Sequence, residues 1–280
     1  MILHDETTKV QGIPAHVLRG GSGIPLLIVH GWGSAAERYR EAFRLIPEAA
    51  VSVVIPDLPG FGVTSPPPNT WSHREYVSWV YELLRIVGTA QPVVLGHSFG
   101  GGIALMLAVQ HPEAVRALIL YGARILTHRS EPKLSLFRTL AKAGKPFFQL
   151  PGLSSFAAPA RRLLYRLAGA RDYLSAGNLK PIFERVSAED LSPALRHVSV
   201  PTGILWGRED RETPVSDAEY IHAAIPGSEL RILDGVGHSI RGEQPERFVE
   251  ELLRMIHRLT PLRPKAPGVS PGRKVDGGAP

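Results

Sequence analysis

Six short apolar runs, at 26–30, 51–56, 93–96, 117–121, 203–206 and 230–233, alternate along this chain with stretches of helical period. Most of the runs are apolar at every position, as strands buried on both faces of a parallel sheet must be. The helical stretches fall at 37–46, 73–87, 99–110, 217–224 and 245–259. Strand and helix in alternation specify an α/β domain whose parallel strands are joined by crossover helices on both faces. Residues 2–10 and 15–19 read as a β-hairpin leading into it. A chain of 280 residues with 44% hydrophobic side chains supports a large core of this kind.

The alternation breaks between Arg124 and about Ser192. No strand pattern occurs there, and Pro146, Pro151, Pro159 and Pro181 interrupt amphipathic helical stretches rich in Phe and Tyr. The sheet faces are already covered by crossover helices, so an insertion of this size must sit at an end of the sheet. The expected organisation is a core domain from residues 1–123 and 191–260, a helical cap at 124–190 and a disordered tail at 261–280. The tail expectation rests on five Pro and four Gly in twenty residues.

Charge and composition exclude several classes. The net charge of +6 is concentrated in the insertion, where residues 124–185 carry twelve Lys or Arg against three Asp or Glu. Read as a solvated helical face rather than as a groove tracking a phosphate backbone, this pattern implies no nucleic-acid partner. With no cysteine, disulfides, thiolate metal sites and a cysteine nucleophile are ruled out. No uncharged apolar run approaches the ~20 residues of a membrane span. The opening MILHDETTKV has acids where a signal peptide needs basic and apolar regions, so the expectation is a soluble, cytoplasmic protein without stable membrane insertion.

Chemistry is signalled most sharply by Gly96-His97-Ser98-Phe99-Gly100. A G-x-S-x-G match alone is weak. Here it follows the apolar run PVVL and precedes the helical run GGIALMLAVQ, the strand–turn–helix setting that a nucleophile elbow requires. A turn that sharp strains Ser98 and pushes its hydroxyl outward, and it leaves no room for a Cβ at Gly96 or Gly100. A serine hydroxyl needs a positioned base. Of eleven histidines, His111, His222 and His257 belong to helix surfaces or ends. His97 flanks the serine with its side chain expected to point away along the turn. His238, in Gly235-Val236-Gly237-His238-Ser239 beyond the last strand, shares the C-terminal sheet edge with Ser98. The acid that orients it is expected at Asp210 in Arg208-Glu209-Asp210-Arg211-Glu212, with Glu209 and Glu212 as competitors. The exit of the strand ending at Tyr121 offers no carboxylate, while Asp57 and Asp234 read as structural. Two N–H donors for an oxyanion are expected from Phe99 and, in the loop His30-Gly31-Trp32-Gly33, from Trp32. Trp32, Phe99, Phe137, Phe148 and Ile240 are candidates for lining a substrate pocket.

Taken together, HGWG at 30–33, PDLPGFG at 56–62, GHSFGGG at 96–102, GRED at 207–210 and GVGH at 235–238 resemble the α/β-hydrolase family over about residues 1–260. The resemblance implies an eight-stranded, mostly parallel sheet flanked by helices, a helical cap after the sixth strand, and the chain order serine, acid, histidine. Haloalkane dehalogenases and epoxide hydrolases of this family carry Asp where this chain has Ser98, which argues against those activities. Carbon–carbon bond hydrolases of aromatic degradation keep the triad, although many carry Asn in place of His97; cofactor-free perhydrolases share the triad too, and perhydrolase or lactonase activity is a further alternative. The expected activity is a carboxylesterase-type serine hydrolase acting on a small-molecule ester, with no metal and no cofactor. Its basic, aromatic cap would favour acyl esters with an aromatic or anionic part. A ligand receptor with slow turnover and a basic interaction protein are the readings from other classes. Oligomeric state is not legible in the sequence.

Overall fold

The computed structural model describes residues 1–127 and 176–261. Eight strands form one sheet: β1 (His4–Val10), β2 (Ile13–Gly21), β3 (Ile24–Val29), β4 (Val51–Pro56), β5 (Val93–His97), β6 (Ala117–Tyr121), β7 (Thr202–Gly207) and β8 (Glu229–Leu233). Their spatial order is β1-β2-β4-β3-β5-β6-β7-β8. The N-terminal hairpin is antiparallel and β2 joins β4 antiparallel, while β3 to β8 run parallel. The chain steps from β3 outward to β4 and then returns to the other side of β3 as β5. This reversal opens a crevice at the C-terminal ends of β3 and β5, where α/β sheets bind ligands.

Period-two alternation divides the strand side chains between two apolar layers. Leu27, Val29, Val94, Leu118, Leu120, Ile204 and Trp206 face one layer. Leu26, Ile28, Val93, Leu95, Ile119, Tyr121 and Leu205 face the other. The first layer is closed by α2 (His73–Ile86), α3 (Phe99–Gln110), α4 (Lys180–Ala188) and α5 (Val215–Ala224). The second is closed by α1 (Arg40–Arg44), α6 (Ile240–Glu243) and α7 (Pro245–Leu259). Each Leu, Ile or Val so buried stabilises the fold by about 1.5–3 kcal/mol relative to exposure, so the apolar strand runs are the main determinant of the sheet.

Local signals set the helix ends. Ser72 and Glu75 form a capping box at the start of α2, and Pro245 opens α7 where its missing N–H costs nothing. The expected helix at 37–46 is instead a 3₁₀ turn, Ala36–Tyr39, running into the short α1. Within the insertion, α4 begins with Pro181 in its first turn. The remainder of the expected cap, residues 128–175, and the expected tail from 262 lie outside the described residues.

Candidate active site

The loop after β5 is held in a conformation an L-residue rarely adopts. Ser98 has φ 52° and ψ −117°, a strain on the order of 1–3 kcal/mol. Backbone bonds clamp it: its N–H donates to Tyr121 O at 3.0 Å, and its own carbonyl accepts from Gly101 N and Arg124 N, both at 2.9 Å. Glycine at position 96 is obligatory for the same turn. A Cβ there would lie 2.6 Å from Ala104 Cβ and 2.7 Å from Gly101 Cα. At Gly100 it would run into the carbonyl oxygens of Val29 and His30. The strand-to-helix crossing thus presents Ser98, half-buried, at the C-terminal edge beside the crevice.

The three acids after β7 divide their work. Asp210 is buried, and its Oδ2 meets His238 Nδ1 at 2.7 Å. Its Oδ1 accepts from the N–H groups of Glu212 (2.8 Å) and Thr213 (2.9 Å), and Thr213 Oγ1 donates to Oδ2 at 2.9 Å. Burial alone would raise the pKa of Asp210, yet the hydrogen bonds from His238 and these N–H groups hold it below the ordinary carboxylate value. Glu209 turns away and accepts from Val236 N at 2.7 Å, anchoring the loop that carries His238. Glu212 reaches the other ring nitrogen, with Oε2 3.4 Å from His238 Nε2.

Further contacts fix the His238 loop. Glu243 accepts from Gly237 N (2.8 Å) and Ser239 N (3.0 Å). His97 Nε2–H donates to the carbonyl of His238 at 3.0 Å. The His97 ring therefore points at the His238 loop rather than away along the turn, a contact invisible in sequence because it joins residues 141 apart. Burial, reinforced by the neighbouring His238, holds the His97 pKa well below the ordinary imidazole value, so it remains a neutral Nε2–H donor. Gly122, at the β6 exit, faces the pair: a Cβ there would stand 3.3 Å from His238 Nδ1 and 3.4 Å from Asp210 Oδ2.

On the other side of Ser98 runs the loop after β3. A Cβ on Gly31 would lie 3.2 Å from Ser98 Cβ, which shows how closely that backbone passes. His30, kept neutral by burial, donates Nδ1–H to Gly31 O and accepts Leu58 N–H on Nε2. Asp57 accepts from Ala36 N (2.7 Å) and Val63 N (3.0 Å), so it is structural, as expected. Trp32 packs edge-on against Phe61, Phe99 and Phe183, with ring centroids 4.9, 5.5 and 5.0 Å apart.

A cleft at this edge is lined by Trp32, His73, Ser98, Phe99, Phe183 and Glu212, among others. Ile240, expected as a pocket residue, is instead fully buried in the second core layer, because the short α6 turns its apolar side inward against the helix that follows. Phe137 and Phe148 lie outside the described residues. His73, which sequence reasoning passed over, lines the cleft and bonds Glu189 through Nδ1 at 2.6 Å and through its backbone N–H at 3.2 Å. It tethers the start of α2 to the end of the insertion. Among the described residues no group of three or more His, Asp or Glu could hold a metal ion, and no helix is long and apolar enough to cross a membrane.

A sheet of this topology with a strained serine after β5, an acid after β7 and a histidine after β8 defines the class. The family model of the alpha/beta hydrolase fold matches residues 24–245, and the chain belongs to that family. It is an alpha/beta hydrolase. It is similar to a 2-hydroxymuconate semialdehyde hydrolase of Pseudomonas putida, with 28% identity over 81% of this chain and 85% of the relative. Among solved structures it resembles a membrane phospholipase A, with TM-score 0.72 and 25% identity over 92% of this chain and 86% of the other. An esterase from Exiguobacterium antarcticum shares the fold, with TM-score 0.70 and 24% identity over 90% of this chain and 99% of the other.

Proposed function

We propose that this hydrolase cleaves carboxylic esters through an acyl-enzyme on Ser98. The observation that carries the reading is the 2.7 Å bond from His238 Nδ1 to buried Asp210, formed at the same sheet edge as a strained Ser98. Asp210 fixes the imidazole tautomer so that Nε2 is the basic nitrogen. His238 Nε2 takes the proton of Ser98 Oγ as that oxygen attacks the acyl carbonyl. The developing oxyanion is met by the N–H of Phe99, the first residue of α3, and by the N–H of Trp32. His238 then gives its proton to the leaving alcohol, and water releases the acyl group by the same steps in reverse.

The test is stoichiometric labelling by a fluorophosphonate together with turnover of p-nitrophenyl esters. Labelling should map to Ser98, and Ser98→Ala should abolish it and lower kcat on the order of 10³-fold or more. Full activity in Ser98→Ala would remove the proposal.

A second reading, hydrolysis of a carbon–carbon bond in a vinylogous diketone, is favoured by the similarity to the 2-hydroxymuconate semialdehyde hydrolase. A panel of short esters, lactones and a vinylogous diketone, compared by kcat/KM, separates the two.

A further inference from the structure

We infer that Glu212 makes the leaving-group side of this site selective for esters whose alcohol carries a positive charge, such as a quaternary ammonium alcohol. The inference rests on the serine-hydrolase reading and adds to it the charge of the group expelled.

Three carboxylates follow β7, and two are consumed by structure. Asp210 takes His238 Nδ1 and three donors from residues 212 and 213, and Glu209 takes the N–H of Val236. Glu212 has a different setting. Its side chain is 60% exposed, it lines the cleft with Ser98, and its carboxylate contacts His238 Nε2 at 3.4 Å. That nitrogen handles the proton. In the acylation step the bond from Ser98 Oγ to the acyl carbon forms, the bond from that carbon to the alcohol oxygen breaks, and the proton on Nε2 passes to the departing oxygen. A charge beside Nε2 is therefore a charge beside the departing alcohol. A cation a few ångströms along that alcohol is attracted to Glu212, and an anion there is repelled.

Several other charged or titratable groups near His238 are engaged with other partners. Asp210 lies at Nδ1, and Glu243 binds the backbone of Gly237 and Ser239. The Arg241 guanidinium stacks over the Tyr39 ring at 4.5 Å. The His97 ring is 4.9 Å from that of His238, and its pKa is depressed, so it carries no charge. Elsewhere in the cleft, Glu189 is bonded to His73 and Arg124 contributes a cation. The influence of Arg124 cancels when one substrate pair is compared between wild type and a Glu212 variant.

The experiment uses two esters with the same acetyl group, acetylcholine and its uncharged isostere 3,3-dimethylbutyl acetate, and reads the ratio of their kcat/KM values. In Glu212→Gln the ratio of charged to neutral should fall by about threefold to fivefold, as expected for a partly solvated charge at close range. Loss of the carboxylate beside His238 Nε2 alters turnover of both esters, so the ratio, in which that common effect cancels, is the readout, and added salt should shrink the wild-type preference. Glu212→Lys should invert the ratio. An unchanged ratio in both variants overturns the inference. Phosphonates bearing the same two alcohols as leaving groups give the same ratio from the rate of labelling, without turnover. If they label Ser98 with no Glu212-dependent ratio, the inference alone fails. If neither phosphonate labels Ser98 in the folded wild type, the serine-hydrolase reading fails and takes the inference with it.

Discussion

Replacing Gly96 by alanine tests whether the tightness of the elbow is what presents the serine. The new Cβ would stand 2.6 Å from Ala104 Cβ and 2.7 Å from Gly101 Cα. Unbonded carbons normally rest about 3.5–4.0 Å apart, so α3 must retreat by about 1 Å at its first turns. Neither obstacle is a flexible side chain that could swing aside. Overpacking of this kind costs ~1–3 kcal/mol, and the upper end applies because α3 is buried along nearly its whole length. The retreat carries Ser98 Oγ and the Phe99 N–H with it, and a misplacement of about 1 Å in an active site lowers the rate on the order of 10²-fold. Gly88→Ala is the control. Gly88 has φ +69° and a Cβ there meets nothing within 4 Å, so only the left-handed backbone penalty of ~1–2 kcal/mol applies. Urea unfolding followed by circular dichroism gives the stabilities. The rate of fluorophosphonate labelling per folded molecule gives the reactivity of Ser98. Gly96→Ala should lose both stability and labelling rate, and Gly88→Ala stability alone. Wild-type labelling in folded Gly96→Ala would refute the link between the crossing and the nucleophile.

Two further outcomes follow from the polar contacts. His97→Ala removes the donor to the His238 carbonyl and should lower kcat by about tenfold to a hundredfold, with KM little changed. His97→Gln, which can place an amide N–H near the same point, should recover part of the loss. Because His97 is neutral, the shape of the kcat–pH profile should not change, and steady-state kinetics from pH 6 to 9 check both points. His16 bonds Asp57 through Nδ1 and Asp5 through Nε2, each at 2.9 Å. Burial opposes its charge, but the two carboxylates outweigh burial and raise its pKa above the ordinary value of 6.5. A raised folded-state pKa stabilises the protein fully below the unfolded value and loses that contribution as pH climbs through the folded one. His16→Ala should therefore destabilise more at pH 6 than at pH 9 in urea titrations, and an equal loss at both would show that the imidazolium contributes nothing.

The α/β class, the strand positions, the hairpin and the family were legible along the chain, because burial on a parallel sheet leaves a local record in apolar runs and turn glycines. Pro245–Leu259 was readable to the residue from its apolar period and opening proline. The elbow was legible for a related reason: a crossing with no space for a Cβ writes its glycines at fixed offsets from the serine. What the chain could not disclose was how side chains from different loops share their partners. Sequence singles out Asp210 as the partner of His238, but that Glu209 holds Val236 while Glu212 faces Nε2 follows from the meeting of the β7 and β8 exits. His97 bonding the carbonyl of His238, and His73 bonding Glu189, are contacts between residues more than a hundred positions apart. Ile240, a candidate for lining the pocket, is turned into the core by α6. Local chemistry determines which residues can act, whereas hydrogen-bond geometry at the sheet edge, set by the packing of distant segments, decides which of them meet.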